Sequence, residues 1–377
     1  MTYPIASLQQ KCWFKLICGA SFQHLPAVRS LALVYGLAGG DCVDVAADRA
    51  VVSAARSAMA AIAQLAPAAQ QQGYAPQLPW LMVSLNDGDD PHFRKASFDP
   101  RHCPTDCPRP CEMICPAGAI APATNDFTIG NRGSLAAGVI AERCYGCGRC
   151  EPVCPHERIE TRAYQAAPQD IAALLEADID AVEIHTQVGH AHQFQALWQQ
   201  AVVPHLPHLK LVAVSCPTGE GVVDYLQTLY RLMAPLPCPL VWQVDGRPMS
   251  GDLGRGTTHA TLRLAETVAA SRLPGHIQLA GGTNQHTVPA LRRRQAQLRR
   301  QGLALPVAGI AYGSYARAQL MPLLERLPPA APLESYPALL WPAVAIARQL
   351  VSQVKAGEAP AASTQNSHLE VYSAPTS

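Results

Sequence analysis

Eight apolar runs recur along the chain, at 14–20, 41–47, 80–86, 181–186, 209–215, 240–246, 276–282 and 307–313. Their residues are nearly all apolar rather than alternating, which is how parallel strands read when helices cover both faces of the sheet. Between them lie longer stretches with helical spacing, among them 25–39, 49–65, 221–234, 259–273 and 287–302. Eight strand–helix units, spread over roughly 270 residues once one cysteine-rich stretch is set aside, fit a TIM-like (β/α)8 barrel, whose usual size is about 250 residues. A doubly wound open sheet is the alternative arrangement of the same units.

The stretch set aside lies between the third and fourth runs and holds eight of the 13 cysteines, from Cys103 to Cys154. The N-terminus has no cationic start leading into an apolar core and a small-residue cleavage site. Apolar stretches such as 338–351 are too short and interrupted to span a bilayer. No integral membrane segment is expected, and the reading is cytoplasmic. In a reducing compartment, clustered cysteines point to metal ligation rather than disulfides. A net charge of +1 argues against a nucleic-acid partner.

The run Cys144-x2-Cys147-x2-Cys150-x3-Cys154-Pro155 has the spacing of bacterial ferredoxins, where three cysteines hold one iron–sulfur cluster and the fourth reaches a second. Gly146 and Gly148 let the chain turn sharply between ligands. Zinc is the plain alternative, but its structural sites pair cysteines across a longer loop. Upstream, Cys103, Cys107, Cys111 and Cys115 follow one another at x3 spacing, and "CEMICPAGAI" (111–120) aligns with "CEPVCPHERI" (150–159). This internal duplication suggests exchange of fourth ligands, with Cys115 completing the site of Cys144, Cys147 and Cys150, and Cys154 completing the other. The x3 spacings leave open which of Cys103 and Cys107 ligate and whether that site is 4Fe-4S or 3Fe-4S.

The resulting layout is a first part of the barrel at 11–92, a ferredoxin-like two-cluster module at 93–162, the rest of the barrel at 163–355, and a small, polar, disordered tail at 356–377. An insert after the third strand belongs to the barrel's C-terminal face, where barrel enzymes place their sites. Polar residues at strand ends are then candidates: Ser21, Asp48, Asn86, Asp87, His185, Cys216, Thr218, Asp245 and Arg247. After the last two strands, Gly281, Gly282 and Thr283, with Gly313, Ser314 and Arg317, would suit a phosphate, including that of a flavin. Arg292, Arg293, Arg294, Arg299 and Arg300 fall on one helix and read as a solvated outer face. Cys18 and Cys42 read as small core residues. Neither a metal-binding histidine pair, a nucleophile elbow nor a well-placed dinucleotide fingerprint is present.

With these parts in place, the chain resembles the cyanobacterial light-dependent period (LdpA) family. The likeness is carried by "LPAVRSLALVYGLAGGDCVDVAAD", the two cysteine runs, "VSCPTGEGVVDYL", "IQLAGGTNQHTV" and "GIAYGSYAR". The resemblance implies an iron–sulfur protein on the input side of the circadian clock, sensing cellular redox state as a proxy for light and acting through clock-associated proteins. It implies Cys103, Cys107, Cys111, Cys115, Cys144, Cys147, Cys150 and Cys154 as cluster ligands, and no catalytic residue. On this reading an electron donor linked to photosynthetic electron transport sets the clusters' state. The competing reading is a barrel oxidoreductase, flavin-bound and fed by its own ferredoxin module, acting on an unidentified small molecule.

Overall fold

The computed structural model describes residues 3–18, 25–88, 94–115, 118–120, 138–140, 144, 148–163, 168–176, 179–246, 257–328 and 331–356. Its strands are β1 (Trp13–Ile17), β2 (Cys42–Ala46), β3 (Trp80–Asn86), β4 (Arg94–Ser97), β5 (Glu160–Ala163), β6 (Ala181–His185), β7 (Leu211–Pro217), β8 (Leu240–Asp245), β9 (His276–Ala280) and β10 (Val307–Tyr312). Eight of them close a parallel barrel in the order β1-β10-β9-β8-β7-β6-β3-β2, and each matches one of the eight apolar runs. Closure rules out the open sheet. β3 pairs directly with β6, from Met82↔Ala181 to Asn86↔His185, so the barrel sheet passes over the inserted stretch without a break.

The helices are α1 (Tyr3–Gln9), α2 (Leu25–Leu37), α3 (Arg49–Gln71), α4 (Pro110–Ile114), α5 (Pro168–Leu175), α6 (Ala191–Leu197), α7 (Val222–Met233), α8 (Thr257–Ala270), α9 (Thr287–Arg300), α10 (Ser314–Leu324) and α11 (Pro337–Lys355). α3 alone among the described helices is long and apolar enough to cross a membrane. It starts at Asp48, whose carboxylate accepts from the Ala50 and Val51 N–H groups as an N-cap. One side of it, with Val51, Val52, Ala55, Ala58 and Ile62, is buried in the layer between helices and barrel. The arginines of α9 lie along its outer side, Arg292, Arg293, Arg299 and Arg300 exposed and Arg294 paired with Glu266. α11, unremarked in sequence beyond its apolar character, is fastened at the bottom of the barrel: Lys355 Nζ lies 2.6 Å from Asp41 Oδ1, and Asp41 is fully buried.

Two apolar cores follow from the alternation of the strands. Outward residues such as Phe14, Val43, Val83, Val182, Val214 and Leu279 meet the helices. Inward, the lower barrel is filled by Trp13, Cys42, Trp80, Met82, Ala181, Leu211, Ala213, Val241 and Ala308, with Leu8 of α1 beneath them. The larger aliphatic ones, Leu8, Met82, Leu211 and Val241, contribute about 1.5–3 kcal/mol each when taken fully from water. Cys18 and Cys42 are buried as core residues, 2% and 1% exposed.

Candidate functional site

The stretch between β3 and β6 carries its own small core. β4 and β5 form an antiparallel hairpin, Arg94↔Ala163 to Ser97↔Glu160. Beyond it, Ala96, Phe98, Ala119, Ile120, Val139 and Ile159 pack with Cys111, Cys144 and Cys150, separate from both barrel cores. Gly138 is needed there: it sits at φ 61°, and a Cβ would lie 2.6 Å from the ring of Phe98.

The duplicated half-motifs fold alike. The Ala119 N–H donates to Cys115 Sγ at 3.2 Å, and the Arg158 N–H, at the same offset, donates to Cys154 Sγ at 3.3 Å. Three residues after each of these cysteines the chain is left-handed, at Gly118 (φ 55°) and at Glu157 (φ 50°). The buried residues Ile120 and Ile159 occupy equivalent places. A third sulfur, Cys144 Sγ, accepts from the Ala96 N–H of β4 at 3.4 Å. Burial would raise the Cys154 thiol, but the N–H groups of Arg158, His156, Ile159 and Glu157 turn it below the ordinary value. Burial raises Cys103, and the charges of Cys107 and Cys154 add to it. Cys111 is likewise raised by burial and feels Cys154 and Cys103. Cys103 thus feels Cys107 and Cys154, and Cys111 feels Cys154 and Cys103, although no three of the described His, Cys, Asp and Glu side chains are gathered around a common metal position. Gly148 turns at φ 70°, while Gly146 and Cys147 lie outside the described residues. Thiolate-stabilising N–H groups around clustered cysteines suit an iron–sulfur group.

The hairpin is tied to the barrel. Lys95 of β4 places Nζ 2.9 Å from Asp48 Oδ2, with the two side chains 13% and 8% exposed. Asp48 thus joins the capped end of α3 to Lys95, the residue before Ala96, whose N–H reaches Cys144.

Sequence reasoning missed the barrel lumen. Above the apolar floor lies a layer of polar side chains, one from almost every strand: Lys15, Asp44, Ser84, Glu183, Ser215, Gln243 and Gln278, all 2% exposed or less. Lys15 Nζ is 3.0 Å from Asp44 Oδ2 and bonded to Glu183 Oε2. Ser84 donates to Asp44 at 2.7 Å, and Gln243 Nε2 donates to Glu183 Oε1 at 2.7 Å. Gln278 donates to Gln243 at 2.6 Å and accepts from the Trp13 indole at 2.8 Å. The signal was present: "WFKLI", "CVDVA", "AVEIH", "LVWQVD" and "HIQLA" each set a polar residue inside an apolar run.

One layer higher are strand-end candidates. His185 Nε2 lies 3.1 Å from Glu183 Oε1, and Ser215 donates to Asp245. Asp87 accepts from Thr186, with His190 Nδ1 3.1 Å away. The remaining candidates separate from this group. Cys216 faces outward into the helix-packed core, its thiol pushed up by burial to about 12, and Thr218 is exposed. Ser21 and Arg247 lie outside the described residues. Gly281 and Gly282 turn at φ 63° and 91° beside β10, but the Thr283 hydroxyl is committed to the Ala311 carbonyl at 2.6 Å. Gly313 and Ser314 begin α10, and Arg317 in its first turn reaches Ser314 Oγ at 3.4 Å.

The lumen has a pH signature. Burial would lower His185, but the bonded Glu183 carboxylate outweighs it and raises the imidazole from 6.5 to about 9. Burial would raise Glu183, yet Lys15 and His185 hold it down from 4.5 to about 2. A raised histidine stabilises the fold fully below pH 6.5 and loses that contribution as pH rises through 9. A depressed carboxylate stabilises above 4.5 and loses it as pH falls towards 2. Denaturant midpoints should therefore fall by the equivalent of about 2 kcal/mol between pH 6.5 and 9, a value discounted for the partial exposure of His185. The fall should be absent in His185→Gln.

Comparison with known proteins adds the family. The model described as the LdpA Fe-S cluster-binding domain matches residues 103–165, and that described as the Light dependent period A C-terminal domain matches 173–353. The curated protein Light dependent period A of Synechococcus elongatus is 49% identical over 356 residues, 94% of each chain. Among solved structures, a Coccidioides immitis protein assigned as a fructose-1,6-biphosphate aldolase aligns over 94% of this chain and 95% of its own, at 9% identity and TM-score 0.44. The YdjI aldolase of Escherichia coli does so over 94% and 95%, at 7% identity and TM-score 0.42.

Proposed function

Because the chain belongs to the light dependent period A family, we propose that it is an iron–sulfur redox sensor carrying the redox state set by photosynthetic electron flow to the circadian clock. The observation that supports this most is the cysteine module itself: two like-folded half-motifs with N–H groups on their sulfurs, joined to the barrel through Lys95 and Asp48. The ligand sets are Cys103, Cys107, Cys111 and Cys154 for one 4Fe-4S site, and Cys115, Cys144, Cys147 and Cys150 for the other. The mutual influence of Cys154, Cys103, Cys107 and Cys111 favours this exchange over two self-contained runs. Residues 93–162 form the module, within a barrel built from 11–92 and 163–355.

A bound cluster supplies one-electron chemistry. The protein's part is to hold each sulfur against backbone N–H groups and to let a nearby charge be felt elsewhere. An electron added to a cluster held by Cys144 would strengthen the negative field on Lys95, in competition with Asp48. Terms of about 1–4 kcal/mol are the scale for neighbouring charges at an effective dielectric constant of about 20. That is enough to shift a two-state balance by about fivefold or more. Loosening Lys95 from Asp48 would alter the start of α3, and a clock-associated protein in the cytoplasm would read the changed surface.

Protein purified without oxygen should carry iron and acid-labile sulfide near the amounts for two clusters. Zinc in their place would overturn the assignment. The polar lumen favours a second reading, a barrel oxidoreductase fed by its own module; bound flavin in the same preparation would be its mark.

A further inference from the structure

A cleft of about 410 Å³ opens at the N-terminal end of the barrel, where α9, the turn from α1 into β1, the loop before β10 and the last turn of α11 meet. That volume lies within the range of small-molecule sites. Its apolar wall is built by Val288, Leu291, Leu305, Val307, Ile310 and Val354. β10 is irregular beneath it, its register with β9 shifting between Val307 and Gly309. Such bulges are over-represented beside functional sites. The cysteine module leaves β3 at the opposite, C-terminal end, so the cleft is separate both from the cysteines and from the face where barrels place catalysis.

The charge around the cleft gives its chemistry. Lys11, Arg292 and Arg299, all exposed, stand on its rim, and no carboxylate is among the described residues that line it. Arg292 and Arg299 are seven residues apart on α9 and share one face of it, while Arg293, Arg294 and Arg300 stay outside the lining. The Arg292 guanidinium donates to the Gln353 carbonyl of α11 at 3.0 Å, which fixes it at the rim. Gln295 Nε2 donates to the Leu305 carbonyl at 3.0 Å and holds the loop before β10 against α9. Arg299 also suits the last turn of α9, where the helix dipole favours a cation. That explanation does not reach Lys11. Lys11 stands at φ 60°, in the left-handed region that favours glycine, so a lysine there accepts backbone strain while bringing an ammonium to this rim. A chain of net charge +1 thus gathers three cations around one apolar cleft, and a cleft lined by one sign of charge concentrates the other.

We propose that this cleft binds a small amphipathic anion, with a carboxylate or phosphate head met by Lys11, Arg292 and Arg299 and an apolar body lying on Leu291, Leu305 and Ile310. Such a ligand bridges α9, α11 and the turn into β1, and it stabilises the barrel without undergoing reaction. The site does not rest on the redox reading and would stand if that reading failed.

Calorimetric titration and thermal melting of the full-length protein with octanoate and with octyl phosphate test this. Acetate, a head without a body, and octylammonium, the same body with the opposite charge, are the controls. At least one of the two octyl anions should saturate a single site with Kd of about 1 mM or tighter and raise the melting temperature, and neither control should do so. Lys11→Gly relieves the left-handed backbone, so it should leave the melting temperature of the free protein unchanged or higher while weakening the anion by about threefold. Combined with Arg292→Gln it should weaken the anion by about tenfold. Should Arg292→Gln loosen α11, Lys11→Gly alone decides. The proposal is overturned if neither octyl anion gives saturable heat, if octylammonium binds as well as they do, or if anion binding survives both substitutions unchanged. It is also overturned if the substitutions abolish self-association of the chain instead, which would make this face a contact between copies.

Discussion

Lys15→Met should lower the free energy of unfolding by about 3–5 kcal/mol, the range for removing one partner of a buried ion pair. Asp44 and Glu183, 1% and 0% exposed, would be left in the barrel lumen with only neutral donors and His185. Burial alone would lower the lysine's pKa, but the two carboxylates outweigh it and raise it well above its usual value, so its charge is part of the fold. Two companions make the cause visible in denaturant titrations. Lys15→Met with Glu183→Gln should recover part of the loss, because the stranded charge is gone. Acidification towards pH 4.5 should also narrow the gap between Lys15→Met and the parent, as Glu183 without Lys15 takes up a proton more readily. A single-variant loss under about 1 kcal/mol would mean that water or another cation fills the lumen.

Replacing residues 95–160 by a short glycine–serine linker should leave a soluble barrel with one cooperative unfolding transition. The two ends are neighbours across the β4–β5 hairpin, so a short linker reaches. β3 and β6 pair without help from the insert, and the module's core shares no member with the barrel's two cores. The loss of the Lys95 pair with Asp48 should cost about 1 kcal/mol, which lowers the melting temperature by about 2–4 °C in a barrel of this size. Circular dichroism and thermal melting decide it. Aggregation, or a melt without cooperativity, would show that the cysteine module cements the barrel.

The barrel was readable because parallel strands buried on both faces announce themselves as apolar runs, and the count of eight favoured closure. The lumen was not read from the same runs. Lys15, Asp44 and Glu183 stand inside them, and a one-dimensional reading has no means of bringing residues 15, 44 and 183 to one point. Only closure does that. The strand-end search found His185, Asp245, Asn86 and Asp87, which lie at or near the mouth, yet it weighted Cys216 beside them although its side chain points the other way. In the cysteine module the duplication was plain from the aligned half-motifs. The left-handed turn at Glu157 was hidden, because the sequence signals it with glycine in the first copy alone. The hairpin was hidden too: "RKAS" and "ETRA" are short and polar, and they become strands by pairing across the intervening module.

Under the proposed function, the electron state of the module is felt by the barrel through Lys95 and Asp48. Hydrogen–deuterium exchange on the full chain, dithionite-reduced against oxidised and without oxygen, measures it most directly. Altered protection is expected in β4 and in the first turn of α3, with no change in β8 on the far wall and loss of the α3 response in Lys95→Met. Identical exchange of β4 and α3 in the two states would contradict it.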